Sequence, residues 1–137
     1  MKAKFSTAWT GSKQPRKQRK YLHNAALHHK HKFLSAHLSK DLRTKHSKRS
    51  LPIRKGDEVL IMRGSFSGKK GKVLTVNLKR SIVTVDGMSV KKRDGSKVNV
   101  PLQPSNLQLM SINLDDKRRL TQPQGEKKNA SNKSASA

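Results

Sequence analysis

The sequence predicts a mainly-β protein, with a small barrel at residues 51–113 between a basic, partly helical extension at 1–50 and a disordered tail at 114–137. Three observations predict this organisation. After residue 50, short runs with apolar residues at every second position alternate with glycine-containing turns. The 32 lysines and arginines far outnumber the 8 acids, and the excess is greatest before residue 50. The final segment contains QPQGEKKNASNKSASA and has too few apolar residues to form a core.

Two short helices are predicted in the basic extension. Apolar and basic residues at helical spacing predict a helix over 24–34, with Asn24 as its cap. A second helix is predicted over 40–46, because Ser39 is a favourable N-cap and basic residues follow in the last turn. Neither helix buries enough surface to be stable alone. The earlier segment PRKQRK, at 15–20, is predicted to be disordered without a partner.

The barrel is predicted from short strands at 58–62, 72–78, 82–86 and 106–112, together with a hairpin between MSVKKR and SKVNVPL. Asp86-Gly87 and Asp94-Gly95 are both favourable turn dipeptides, and the second lies at the tip of this hairpin. Closing such strands into a barrel removes the exposed sheet edges. The residues expected to form its core are Val59, Ile61, Leu74, Val76, Val83, Val85, Val90, Val98 and Leu107.

The net charge of +24 predicts a polyanionic partner, because a compact protein with this charge repels itself strongly. The chain contains no cysteine, so disulfides and thiolate metal sites are excluded. The N-terminus lacks the apolar segment of a secretory signal, and no apolar run approaches the roughly 18 residues that a membrane span requires. We therefore expect a soluble, intracellular protein with no membrane partner.

The loop RGSFSGKKGKV, at 63–73, combines glycines with four cations. A Walker loop requires G-x-x-x-x-G-K-[ST] followed by a helix, whereas here a strand pattern follows and no Ser or Thr follows the Gly-Lys pairs. We therefore expect no nucleotide substrate. Glycines such as Gly68 and Gly71 would let the backbone approach a phosphate or sugar closely. The alternative is a loose, solvated turn.

The six histidines lie between residues 23 and 46 and suggest three interpretations. A zinc site is disfavoured, because the segment has no cysteine and its only acid is Asp41. The histidines are more consistent with donors and stacking surfaces for RNA, or with solvated polar residues. The sequence contains no nucleophile motif, so we expect neither an enzyme nor a cofactor.

Three aromatic residues, Phe5, Trp9 and Tyr21, lie in basic sequence that has little apolar content. They could stack on bases or sugars of a nucleic acid. They could equally anchor the N-terminal arm to the barrel. The sequence does not decide between these two roles.

The segment IRKGDEVLIMRGSFSGKKGKVLTVNLKRSIVTVDG, at 53–87, resembles a KOW motif. Its flanks are TGSKQPRKQRKYLHNAALHHK at 10–30, LSKDLRTKHSKRSLPIRKGD at 38–57 and VPLQPSNLQL at 100–109. They resemble the archaeal and eukaryotic form of the universal large-subunit ribosomal protein family twenty-four, called L-twenty-six in eukaryotes. The resemblance covers about residues 10–112.

This resemblance implies an SH3-like barrel that binds large-subunit rRNA near its 5′ end, acts early in subunit assembly and lies near the peptide exit tunnel. It also implies neighbouring large-subunit proteins as partners and a cytoplasmic location in the ribosome. With Gly68 and Gly71 of the glycine loop, the expected RNA-binding positions are Lys13, Arg16, Lys17, Arg19, Lys20, Arg43, Lys45, Lys48, Arg49, Arg54, Arg63, Lys69, Lys70 and Lys72.

Two other functions are compatible with a basic chain of this kind. A KOW-type transcription elongation factor would contact RNA polymerase, but it would need an added α/β domain for which this chain has no room. A general nucleic-acid chaperone, or a histone-like polycation, would not require an ordered barrel.

Overall fold

The computed structural model describes residues 3–116 and 119–120. Within these ranges the chain forms seven strands, three α-helices and two short 3-10 helices, so the predicted mainly-β fold with a helical N-terminal region is confirmed. The 3-10 helices span Thr7–Gly11 and Pro104–Asn106. The other elements, in chain order, are α1 Pro15–Asn24, α2 Leu27–Phe33, β1 Ser35–Leu38, α3 Lys40–His46, β2 Ser50–Pro52, β3 Glu58–Ile61, β4 Lys70–Asn77, β5 Ile82–Lys91, β6 Lys97–Leu102 and β7 Leu107–Ser111.

The strands form a single sheet in the order β2-β1-β7-β3-β4-β5-β6. Neighbouring strands are antiparallel, except that β1 runs parallel to β7. One cluster of buried apolar residues takes members from β1, β2, β3, β4, β5 and β7. The described helices add only the half-buried Leu42 to it. The core therefore lies mainly between strands of this one sheet, and loop residues such as Phe66 and Leu120 pack against it.

Residues 34–53 contribute a large part of this core. Leu34 and Leu38 are completely buried, and Ala36 is 1% exposed. Strand β1 pairs with β2 and also with β7, which brings residue 37 beside residue 108. These two strands were not predicted. The signal for β1 is the alternation of apolar residues at 34, 36 and 38, which the helical spacing of the surrounding leucines obscured.

The helix predicted over 24–34 is wrong in its bounds. The chain instead forms α1, which begins at Pro15, and α2, which begins at Leu27. The two helices are separated because Ala25 and Ala26 have extended backbone, with ψ of 136° and 156°. Proline is favourable in the first helical turn, where its missing N–H would have no partner, so the segment predicted to be disordered lies in a helix in this structure.

The predicted helix over 40–46 is confirmed as α3. The Ser39 hydroxyl accepts a hydrogen bond from the backbone N–H of Leu42 at 3.3 Å, as expected for an N-cap. Leu42 packs against the core cluster. The cap stabilises the start of α3, and the Leu42 contact holds the helix against the core.

The core prediction is confirmed for Val59, Ile61, Val83, Val85 and Leu107, and Val76 is half-buried and packs against the same cluster. The prediction is wrong for Leu74, Val90 and Val98. Leu74 is half-buried, and its neighbour Val73 is buried instead. The reason is an irregularity in the pairing of β4 with β5 between Val73 and Thr75, which breaks the alternation of side chains. The other two, Val90 and Val98, are 54% and 43% exposed.

The exposed valines lie on the hairpin formed by β5 and β6. Lys91 pairs with Lys97, and the predicted turn at Asp94-Gly95 is confirmed. The expectation of a turn at Asp86-Gly87 is wrong, because β5 continues through both residues. Gly87 has a φ of +74°, and the register of β5 against β6 shifts between residues 84 and 89. Gly87 therefore lies in an irregular part of a long strand.

A buried ion pair holds the chain after β7 against the sheet. Arg119 Nη1 and Nη2 donate to the two carboxylate oxygens of Asp57 at 2.6 and 2.5 Å. Arg119 also donates to the carbonyl oxygens of Pro52 and Asn113. The start of the segment predicted to be a disordered tail is thus packed against the sheet. The rest of that prediction concerns 117–118 and 121–137, which lie outside the described residues.

Candidate nucleic-acid interface

Helix α1 presents most of the predicted cations of the N-terminal arm. Its inward positions are Gln18 and Tyr21, of which Tyr21 is only 7% exposed. The remaining surface of the helix, and the residues just before it, carry no acid. Of the five predicted RNA-binding residues here, Lys20 is half-buried and the exposed ones are Lys13, Arg16, Lys17 and Arg19.

The arm aromatics mainly contact one another. The Phe5 ring stacks on Tyr21 with a centroid distance of 5.3 Å, and Tyr21 meets the edge of Phe33 at 5.7 Å. His29 lies 5.5 Å from Phe5. These four side chains form a cluster that ties residue 5 to α1 and α2. Trp9 does not join this cluster, and Lys20 Nζ lies 5.4 Å from the centre of its ring.

The predicted cations around α3 differ in how freely they can reach a partner. Lys45 and Arg49 are exposed. Lys48 is half-buried, and its Nζ donates to the carbonyl oxygen of Leu120 at 3.0 Å. Arg43 is also half-buried, and its Nε has no hydrogen-bond partner among the described residues. Lys45 and Arg49 are therefore the cations most available for binding here.

The glycine loop between β3 and β4 is a compact turn. Gly68 N–H donates to the carbonyl oxygen of Ile61 at 2.8 Å, and Ser67 N–H donates to that of Gly64 at 3.0 Å. Gly64 and Gly68 have φ of +97° and +82°, a region that favours glycine, and a Cβ added to either would meet no atom within 4 Å. The backbone is thus open to a close approach from outside.

Lysines surround this open backbone. Lys69, Lys70 and Lys72 are exposed, as is Arg63 at the start of the loop. Lys69 Nζ lies 5.4 Å from the centre of the Phe66 ring, and Phe66 itself packs against the core. Phe66 therefore anchors the loop and helps to hold one of its charges in place.

Gly71 has a different environment from the other loop glycines. It lies in β4 without a positive φ, and a Cβ there would be 2.7 Å from the carbonyl oxygen of Asp86 and from a methyl carbon of Val85. The small size of Gly71 is required by the neighbouring strand β5. The need for glycine at this position therefore has a cause inside the protein.

Arg54, another predicted site residue, is paired within the protein. Its Nη1 lies 2.5 Å from Asp116 Oδ2, and the two side chains are 41% and 43% exposed. A half-exposed ion pair of this kind stabilises a protein by only about 0–1 kcal/mol. A phosphate could therefore compete with Asp116 for this guanidinium at little cost.

The histidine segment forms no recognisable metal site. Among residues 3–116 and 119–120, no group of three or more histidine or acidic side chains could hold a metal ion. The His28 and His29 rings lie 4.2 Å apart, and His29 also contacts Phe5. Among all the described residues, no helix is long and apolar enough to cross a membrane.

Sequence reasoning missed two arrangements that depend on contacts between separate segments of the chain. The first is Asp57, which is completely buried against Arg119. The second is a cleft that is lined by Trp9 and by cations of α1. It exists only where the 3-10 helix Thr7–Gly11 lies against α1. Neither arrangement has a local sequence signal.

Exposed cations on a helical arm and around an open glycine loop of a mainly-β protein are typical of the class of nucleic-acid-binding proteins. Comparison with known proteins gives the family. A family model that describes the eukaryotic ribosomal proteins L26 and their archaeal counterparts matches residues 12–122. The chain is also 56% identical over 108 residues to large ribosomal subunit protein uL24 of Methanosphaera stadtmanae, covering 79% of this chain and 92% of that protein. The chain belongs to this ribosomal protein family, and the resemblance found in the sequence is confirmed.

Proposed function

We propose that the chain is a structural component of the large ribosomal subunit that binds large-subunit rRNA near its 5′ end. In this proposal it acts early in subunit assembly, lies near the peptide exit tunnel beside other large-subunit proteins, and resides in the cytoplasm as part of the ribosome. Its role is architectural, with no catalytic step. The observation that carries the proposal is the match to a ribosomal protein family over most of a chain with a net charge of +24.

The glycine loop and the arm would bind RNA in different ways. At the loop, open backbone at Gly64 and Gly68 would approach a sugar or phosphate while Lys69 and Lys70 neutralise charge. On the arm, exposed cations without intervening acids would follow a phosphate chain. Most of the affinity would come from release of counterions, and specificity from the shape of folded RNA.

Family membership disfavours the two alternative functions. The chain matches ribosomal proteins over residues 12–122, which include the KOW-like segment, so an elongation factor does not account for the flanks. A polycation without ordered structure does not account for a core in which Val59, Val83 and Leu107 are 0% exposed. A general nucleic-acid chaperone would bind double-stranded DNA with the same affinity as rRNA.

The loop is tested by the salt dependence of binding. We would measure the affinity of the full chain for a fragment from the 5′ region of large-subunit rRNA, by filter binding at several salt concentrations. The double variant Lys69→Gln/Lys70→Gln removes two expected phosphate contacts, so the slope of log K against log salt should become shallower by about 2. The matched control is Lys91→Gln/Lys92→Gln on the hairpin, an equal loss of exposed charge outside the proposed set.

Equal changes in slope for both double variants would contradict the assignment of the loop, because only the total charge would then matter.

Location is tested separately with the tagged chain in cells. It should sediment with large subunits and remain there after a moderate salt wash. Recovery mainly with RNA polymerase or with chromosomal DNA would contradict the proposed function as a whole.

A further inference from the structure

A cleft of about 360 Å³ lies between the first 3-10 helix and α1. This volume is at the lower end of the roughly 300–1,000 Å³ in which proteins bind small ligands. Three of the residues that line the cleft are cations, one is Trp9, and none is acidic; the full lining is Ala3, Trp9, Gln14, Arg16, Lys17 and Lys20. Trp9 precedes residue 12, at which the family match begins, so the match to ribosomal proteins assigns it no role.

Two side chains of α1, Gln18 and Lys20, hold the cleft together. The side-chain amide of Gln18 in α1 donates to the carbonyl oxygens of Trp9 at 2.8 Å and Ser12 at 2.7 Å. Lys20 Nζ donates to the carbonyl oxygen of Ala3 at 2.8 Å while lying near the Trp9 ring. These bonds fix the backbone that carries Trp9 to the helix that carries the cations. The wall of the cleft is therefore preorganised by contacts within the arm.

Core packing does not explain the position of Trp9, whose ring is approached within the arm by Lys20 Nζ at 5.4 Å. The indole is only half-buried, it lies outside the core cluster, and it makes no ring contact with the Phe5–Tyr21–Phe33 group. An inorganic anion would need the cations but not the indole. A large aromatic surface beside Arg16, Lys17 and Lys20 matches a ligand that has both a flat ring and a phosphate. A nucleotide in a single RNA strand has this chemistry.

We propose that this cleft binds one unpaired nucleotide of RNA, with its base stacked on the Trp9 indole and its flanking phosphates paired with Arg16 and Lys17. The inference rests on the proposed rRNA binding and deepens it. It assigns the arm a base-stacking contact in addition to its charge. The hypothesis that Phe5 and Tyr21 also stack on bases is replaced by their stacking on each other.

The test uses the fact that Trp9 is the only tryptophan of the chain, so fluorescence excited at a wavelength that Tyr21 does not absorb reports on this cleft alone. The full chain would be titrated with a single-stranded decamer of adenylate and with an abasic ribose-phosphate decamer. The two probes carry the same backbone charge and differ only in their bases. The adenylate decamer is expected to quench Trp9 and to bind about tenfold more tightly, a ratio within the range for loss of one base stack.

Two variants separate stacking from damage to the arm, with labelled RNA used to measure affinity. Trp9→Leu should lose about tenfold in affinity for the adenylate decamer and nothing for the abasic decamer. Trp9→Phe should recover most of the loss, because a smaller ring can still stack. Arg16→Gln/Lys17→Gln should weaken both decamers equally. Equal binding of the two decamers to the natural chain, or equal weakening of both by Trp9→Leu, would overturn the proposal.

Failure of the cleft and failure of the proposed function give different results. If the chain binds the 5′ rRNA fragment but does not distinguish the two decamers, only the cleft assignment fails. If the chain distinguishes the decamers through Trp9 but does not bind the rRNA fragment, the cleft stands and the proposed rRNA partner fails.

Discussion

Replacing Arg119 with methionine is expected to destabilise the folded chain strongly. The side chains of Arg119 and Asp57 are 2% and 0% exposed. Methionine keeps an apolar stem but removes the guanidinium and its four hydrogen-bond contacts. The Asp57 carboxylate would then remain in the interior with two donors, the backbone N–H groups of Arg54 at 2.8 Å and Asn113 at 3.0 Å.

The expected loss of stability follows from this geometry. Removal of one partner from a buried ion pair costs about 3–5 kcal/mol, because it leaves an uncompensated charge. The two backbone donors to Asp57 remain, so we expect the lower end, about 3 kcal/mol. For a domain of roughly this size, that loss corresponds to a fall in Tm of about 10–20 °C.

The assay is thermal unfolding of the full chain, followed by far-UV circular dichroism. The matched control is Arg54→Met, because its ion pair with Asp116 has side chains 41% and 43% exposed and should contribute only about 0–1 kcal/mol. The double variant Asp57→Asn/Arg119→Met should lose less stability than the two single variants together, since it leaves no buried charge without its partner. A melting curve for Arg119→Met that coincides with that of Arg54→Met would refute the reasoning.

Three further predictions concern local features. Gly71→Ala should lower the free energy of unfolding by about 1–3 kcal/mol, because the added Cβ would lie 2.7 Å from two atoms of β5. The control is Gly11→Ala, whose Cβ would meet no atom within 4 Å and which should melt like the natural chain. Ser39→Ala removes the N-cap of α3 and should cost about 1 kcal/mol by urea titration; an unchanged midpoint would show that the cap contributes nothing. Hydrogen bonds from the Ser96 side chain and backbone lower the pKa of Asp94 below 3.8, so its NMR titration should have a midpoint below that value, and Ser96→Ala should raise it. The small stability linked to the Asp94 carboxylate is present above its unfolded pKa and is lost as the pH falls through its lower folded pKa. An Asp94 titration midpoint that Ser96→Ala leaves unchanged would contradict the assignment of the lowered pKa to the Ser96 hydrogen bonds.

Local sequence signals predicted several elements correctly. The Ser39 cap and the basic last turn predicted α3, and Asp94-Gly95 predicted the hairpin turn. Alternating apolar residues predicted β3, β5 and β7 with their buried side chains. These predictions succeeded because the causes act within a few residues of one another, through capping, turn geometry and the period of two along a strand.

The candidate site was only partly accessible to the same reasoning. The sequence identified the basic arm and the glycine loop by composition. It did not show that Arg54 is paired with Asp116, or that Lys48 is bonded to the carbonyl oxygen of Leu120. Exposure and internal pairing of a cation depend on which segment packs beside it. Composition alone does not contain that information.

By itself, the sequence determined the mainly-β class, the charge of +24 that predicts a polyanionic partner, and the family to which the chain belongs. The tertiary structure alone decided that β1 lies parallel to β7, that Val73 replaces Leu74 in the core, and that Trp9 lines a cleft with cations of α1. It also decided the pairing of Arg119 with Asp57, 62 residues apart along the chain. The physical reason is common to all four. Burial and ion pairing are set by contacts between separate segments of the chain, and the local periodicity of each segment is compatible with many such partners.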